Sequence, residues 1–254
     1  MTKLKSWCHC TSQTIRAKQE LHTLVANAMN QAEAIDAIAG VMPGHYASET
    51  RIADIFARLG KHASADYIRD KLPTTATLRF GELGEILAAT YVADYSPYQS
   101  IRKLRWKDHR NMAMRGDDIL GVRVDAAGQM RFLKGEVKSR GSLTTGTIKD
   151  ARKALKASRN RPSPHALASM ADRLDETGDA ALGAQILEHQ YKLGIKLDQV
   201  THFIFTFSGN DPLALLQADL AAYSGTVRQH VVGLHINEPN KFVGKVYRKV
   251  IANG

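Results

Sequence analysis

Two aspartates, Asp117 and Asp118, open one arm of what reads as a β-hairpin, and the other arm carries Glu136-Val137-Lys138. Strand side chains alternate with period two, so Glu136 and Lys138 share one face while Val137 packs on the other. The hairpin partner brings Asp118 toward the same face. Two carboxylates beside a lysine make a hard oxygen site of the kind Mg²⁺ favours, because that ion takes few protein ligands and keeps waters and substrate phosphate. The lysine would orient or activate an attacking water. The expected chemistry is metal-dependent hydrolysis of a phosphodiester.

Several elements must position these groups. The arms run from Asp117 to Val124 and from Met130 to Arg140, joined at Ala126-Ala127-Gly128-Gln129. Upstream, Phe80 to Tyr91 reads as a helix with Leu83, Ile86, Leu87 and Tyr91 as its apolar stripe, and its glycines would permit close packing. Glu82 and Glu85 lie i, i+3 on one face of that helix. Ser100 to Trp106 is expected to form the first strand. After the hairpin, a helix from about Thr145 to Ser158 places Lys149, Arg152, Lys153 and Lys156 at i, i+3, i+4 and i+7, a basic face suited to phosphates. Arg140 and these four cations are candidate DNA contacts. Further helix is expected from Ala166 to Leu193 and from Pro212 to Ala222. Gln199 to Phe207 reads as a buried strand, and closing strands are expected at Val231 to Ile236 and Phe242 to Ile251. Residues 1–73 read as mainly helical, with helices over Gln13 to Ala39, Thr50 to Leu59 ending at Gly60, and Ala63 to Leu72. That pattern divides the chain into a helical region over 1–73, for partner binding or regulation, and a mixed-sheet α/β domain over 74–254.

Charge points the same way. Net charge is +10, but between Ile101 and Arg161 there are 17 Lys/Arg against 6 Asp/Glu, and elsewhere 18 against 19. The whole basic excess therefore lies around the candidate site, as expected of a protein that binds a polyphosphate backbone. The chain shows neither a secretion signal at its start nor a membrane-spanning run, and it reads as cytosolic. Cys8 and Cys10 are too close to staple a fold, and Cys8-His9-Cys10 lacks the four spaced ligands of a structural zinc site. No Gly-x-Ser-x-Gly supports a serine hydrolase. Without a Gly-x-x-x-x-Gly-Lys-Ser/Thr loop, a nucleotide-driven motor would have to be another protein.

An acid-bearing helix, then Asp118, then Glu-x-Lys 18 residues later, then a basic helix, is an order that resembles the PD-(D/E)XK nuclease superfamily. The resemblance implies a metal held by Asp118, Glu136 and the Val137 carbonyl, with Lys138 completing the catalytic set. It also implies a helix acid, Glu85 or alternatively Glu82; Glu85 is favoured because it lies one turn deeper. Gly116-Asp117-Asp118 stands where that family has Pro-Asp, so Asp117 is an alternate to Asp118. It could otherwise cap the turn or pair with a nearby arginine. More narrowly, Gly81-Glu82-Leu83-Gly84-Glu85, Arg115-Gly116-Asp117-Asp118-Ile119-Leu120-Gly121 and Gly135-Glu136-Val137-Lys138-Ser139-Arg140 resemble the HamA family, nuclease subunits of bacterial Hachiman anti-phage defence. This implies a bacterial, Mg²⁺-dependent DNA endonuclease, with Mn²⁺ a possible substitute, controlled by a partner helicase, HamB. The competing reading is a non-catalytic nucleic-acid-binding adaptor of a helicase.

Overall fold

The structure is a computed structural model that describes residues 4–26, 30–112 and 116–253; Arg115, part of the motif above, lies outside them. Its centre is a seven-stranded mixed sheet in the order β1-β2-β7-β6-β5-β4-β3. The strands are β1 (Cys8–Arg16), β2 (Gln19–Ala26), β3 (Gln99–Ser100), β4 (Ile119–Val124), β5 (Met130–Arg140), β6 (Val200–Ser208) and β7 (Arg228–His235). Strands β2, β7, β6 and β5 are parallel to one another, and an antiparallel strand flanks them on each side. Every residue of β6 is buried, which suits a central parallel strand covered on both faces.

Helices cover both faces of the sheet. On one side lie α1 (Gln31–Val41), α2 (Pro43–Tyr46), α4 (Ala76–Tyr95) and α9 (Pro239–Asn253), which share a core with Phe203, Phe205 and Phe207. On the other, α5 (Thr145–Lys156) and α8 (Leu213–Ala222) cover Ile204 and Val231, while α6 (Pro164–Glu176) and α7 (Ala180–Glu188) cover Leu120, Val122 and Phe132. The long α3 (Glu49–Lys71) is broken at Gly60, whose φ of 85° is non-helical. Expectation had divided the helix at that same residue.

The α/β class and the β4–β5 hairpin agree with the sequence reading, and three assignments need correction. Within the helix expected over Gln13 to Ala39, residues up to Ala26 are strand: β1 and β2 form a hairpin, and β2 pairs in parallel with β7. Leu21 and Leu24 bury opposite faces of the sheet, one among α5 and α8, the other among α1 and α4. A strand sandwiched between two helix layers thus shows the i, i+3 spacing of a helix. The strand expected over Phe242 to Ile251 is α9, and its buried Phe242, Val243, Val246, Tyr247 and Val250 follow helical spacing despite their β-branched members. Of the strand expected over Ser100 to Trp106, only Gln99–Ser100 pairs with β4; Lys103–Trp106 is a 3₁₀ turn that buries Leu104.

Candidate active site

Helix α4 approaches β5 at a glycine, so the β5 side chains meet bare helix backbone there. A Cβ on Gly84 would collide with Ser139 Oγ and stand 3.3 Å from Val137 Cγ1. On the strand itself, a Cβ on Gly135 would lie 2.7 Å from Ile119 Cβ. These bare positions let helix, β4 and β5 meet where the acids are.

Asp118 sits just before the first residue of β4. The ladder ends with Ile119 opposite Gly135, leaving the next inward N–H of β5 without a backbone acceptor from β4. Asp118 Oδ2 takes its place and accepts from Val137 N at 2.8 Å. The carboxylate is thereby aimed by the backbone of the Glu-x-Lys tripeptide. On β5, Lys138 Nζ donates to Glu136 Oε1 at 2.6 Å, as their shared face requires.

Nothing in the sequence pattern singled out Lys103, which the structure places between two of the acids. Its Nζ lies 3.3 Å from Glu85 Oε2 and 3.7 Å from Asp118 Oδ1, and it donates to the Asp117 carbonyl at 3.3 Å. The 3₁₀ turn brings it there; a continuous strand over the same residues would not.

The acids feel each other. Burial, with added repulsion from Asp118 and Glu82, pushes the Glu85 carboxyl up to about 7 against the opposing pull of Lys103. Glu136 is likewise raised, first by burial and then by the charge of Asp118, while Lys138 holds it down. Two partly desolvated glutamates beside a third negative charge are stabilised by any added cation. Lys103 and Lys138 supply that charge from within the chain.

The two alternates serve other networks. Glu82 pairs with Lys107 and accepts from Tyr46 Oη at 2.7 Å, and Tyr46 meets Tyr247 Oη at 3.0 Å; this buried group ties α2, α4 and α9 together. Asp117 accepts from Ser163 N at 2.9 Å and lies 3.4 Å from Nζ of the buried Lys134. Lys134 also donates to the carbonyls of Ala157 and Arg161. Asp117 therefore fastens the start of α6 to the hairpin, and its cation is Lys134 in place of the arginine expected.

Of the four cations on α5, Lys149, Lys153 and Lys156 are exposed. Arg152 is turned inward, with Nε 2.9 Å from Asp219 Oδ2 and its guanidinium bonded to Gln229 and lying 5.0 Å from the Tyr223 ring centroid. It belongs to the packing of α5 on α8 and β7. Arg140 is exposed and donates to the carbonyl of neighbouring Ser139. A cavity of about 450 Å³ opens beside Asp117 and Asp118, with Lys103, Trp106, His165 and Arg173 in its walls. The last three were also missed; they come from segments remote in sequence that only folding assembles.

Glu85, Asp118 and Glu136 offer oxygen donors alone, a set that suits Mg²⁺ or Mn²⁺ rather than a thiolate- or imidazole-seeking metal. Among the described residues no group of three or more His, Cys, Asp or Glu forms a ready-made cage. That is compatible with an ion that takes one or two carboxylates and leaves other positions to water and phosphate. The raised carboxyls of Glu85 and Glu136, each with the Asp118 charge among its causes, are the physical sign of the fit.

Among the described residues, no helix is long and apolar enough to cross a membrane. The HamA family model matches residues 2–250 of the chain. A relative named Hachiman protein HamA, from Bacillus cereus, is 26% identical over 231 residues, covering 88% of this chain and 82% of its own length.

Proposed function

The chain belongs to the HamA family, and from that premise we propose that it is a metal-dependent DNA endonuclease acting in anti-phage defence under the control of a partner helicase, HamB. The observation that carries this reading is the Asp118 carboxylate, fixed by the backbone N–H of Val137 and electrostatically joined to both Glu85 and Glu136. Asp118, with Glu136 or Glu85 as a second carboxylate and the Val137 carbonyl, would hold Mg²⁺, or Mn²⁺ in its place. When bound, the ion supplies Lewis acidity and neutralises charge gathering on the phosphate.

The chain's own residues do the rest. Water adds to phosphorus as it gives up a proton, the bond from phosphorus to one sugar oxygen breaks, and that oxygen takes up a proton from solvent. Lys138, hydrogen-bonded to Glu136, directs the water and stabilises the negative charge that grows on the phosphate oxygens. Arg140, Lys149, Lys153 and Lys156 hold the strand by its backbone, which gives affinity with little sequence preference. Arg152 acts only through the placement of α5.

A second reading, a non-catalytic adaptor that brings DNA to a helicase, draws on Lys103: an acid pair already neutralised by an internal ammonium can persist without an ion. Plasmid cleavage with and without Mg²⁺, by the protein and by Glu136→Ala and Lys138→Ala, separates the two. A parallel arm contains HamB and ATP, so that a latent enzyme is not mistaken for an inert one. The nuclease reading expects Mg²⁺-dependent nicking that both substitutions abolish. Metal-independent binding without cleavage in either arm would establish the adaptor.

A further inference from the structure

The cavity beside Asp118 is furnished for more than a phosphate. Its floor is apolar, with Leu120 and Met170, and its wall carries the Trp106 indole, while Lys103, His165 and Arg173 supply polar edges. Arg173 lies 5.0 Å from the Trp106 ring centroid and is itself held by Glu176 at 2.6 Å, so the indole is steadied before any ligand arrives. A phosphate or a metal ion alone has no use for an apolar floor and an aromatic wall. A flat heterocycle with hydrogen-bonding edges uses all three features, and about 450 Å³ lies in the size range of a small-ligand pocket.

We propose that this cavity seats a nucleobase of the DNA strand being processed, the one flanking the phosphate that meets Asp118, with the Trp106 indole and the Arg173 guanidinium over it as the stacking platform and His165 at its edge. The seat rests on the reading of Asp118 as a phosphate-facing group. A base inside a duplex cannot enter without leaving its stack, and that cost is least for a strand already single. The preferred substrate is therefore single-stranded DNA, or the frayed end of a duplex such as a helicase leaves behind.

The test measures binding in EDTA, where cleavage plays no part. Fluorescence anisotropy follows a single-stranded deoxyoligonucleotide of about 12 nucleotides and its duplex, with the full chain, Trp106→Ala, Trp106→Tyr and Arg173→Gln. Trp7, the other of the two tryptophans, is sealed in the core, so quenching of indole emission on binding reports Trp106. The expectation is tighter binding of the single strand, roughly tenfold loss in Trp106→Ala and recovery in Trp106→Tyr, as for loss of one base–aromatic stack. An abasic site moved along the oligonucleotide should produce a similar loss at one position, and no further loss when combined with Trp106→Ala. This abasic scan decides the matter on the unaltered protein even if Trp106→Ala fails to fold. Equal affinity for duplex and single strand, insensitivity to the abasic site at every position, or tighter binding of the matching RNA would each overturn the seat. Plasmid nicking with Mg²⁺ separates the two readings: a nuclease without the seat still cuts as Trp106→Ala, and a seat without a nuclease binds yet never cuts.

Discussion

Two hairpins stand toward opposite ends of the same sheet, β4–β5 and β1–β2, and they use their side chains differently. In β4–β5 the register is held by a turn at Asp125, whose Oδ1 accepts the N–H groups of Ala127 and Gln129, and by dense packing on both faces. Its mouth gathers Asp118, Glu136 and Lys138. In β1–β2 the outer strand is largely exposed, its register shifts between Thr14 and Arg16, and a hydroxyl pair joins Thr11 to Thr23. Strand β2 is deeply anchored through Leu21 and Leu24, while β1 enters the core at its first residue, Cys8. Similar pairing chemistry thus yields a rigid frame for charged groups at one end and a structural extension at the other.

The contrast is sharpest if function and stability come apart. Lys138→Ala should lower cleavage by about 10²–10⁴-fold while leaving the melting temperature nearly unchanged; an equal loss of both would mean that the pair with Glu136 is merely structural. Leu24→Ala should do the reverse. It removes a buried side chain facing α1 and α4 and should cost about 2–5 kcal/mol in denaturant unfolding, with turnover per folded molecule retained. A fall in turnover at full folding would show that the far hairpin shapes the site.

Acid sensitivity provides a third measurement. His202, opposite Lys134 of β5, is pushed down to about 4 by burial, with Lys134 and Arg152 adding repulsion against the bond to the Asn160 carbonyl. Above about pH 6.5 the ring is neutral folded or unfolded. As pH falls from there to about 4, the unfolded chain takes up the proton first and stability declines, by at most ~3 kcal/mol for this group. In His202→Gln that part of the pH dependence should flatten when unfolding is followed between pH 7 and 4; an unchanged slope would assign it elsewhere.

The smallest effects separate the cations of α5. Arg152→Ala should destabilise by about 1–3 kcal/mol, because Asp219 and Gln229 lose their partner, without altering the salt dependence of DNA binding. Lys149→Ala should leave stability within about 0.5 kcal/mol and reduce the salt slope by about 1. Exchange of these outcomes would mean that Arg152 faces the strand.

How much of this was legible beforehand follows from what each element asks of its residues. The β4–β5 hairpin announces itself because its turn chemistry and its charged tripeptide are local. The central strand β6 does so through an unbroken apolar run. Strand β2 hid because burial on both faces erases period two, and α9 hid because its valines favour strands while their spacing favours a helix. Asp118, Glu136 and Lys138 could be named as a set, and Glu85 could be favoured over Glu82 by its depth in the helix. The partners that separate the two, Lys103 for one and Lys107 with Tyr46 for the other, come from remote segments. Lys103 and Trp106 could not be found by spacing at all, since their roles arise from a 3₁₀ turn read as strand. Arg152 fitted the helical pattern and still faces inward, because periodicity assigns a residue to a stripe without saying where the edge of that stripe is buried.

Lys103 has one more consequence. Many small metal-binding domains unfold on chelation because their ligands repel once the ion leaves. Here a tethered ammonium stands beside Glu85 and Asp118, so stripping divalent ions with EDTA should leave the chain folded, its melting temperature lowered only by the increment that ion binding adds. Such a protein can be synthesised and stored in a quiescent form, with its architecture independent of the supply of the ion that would arm it.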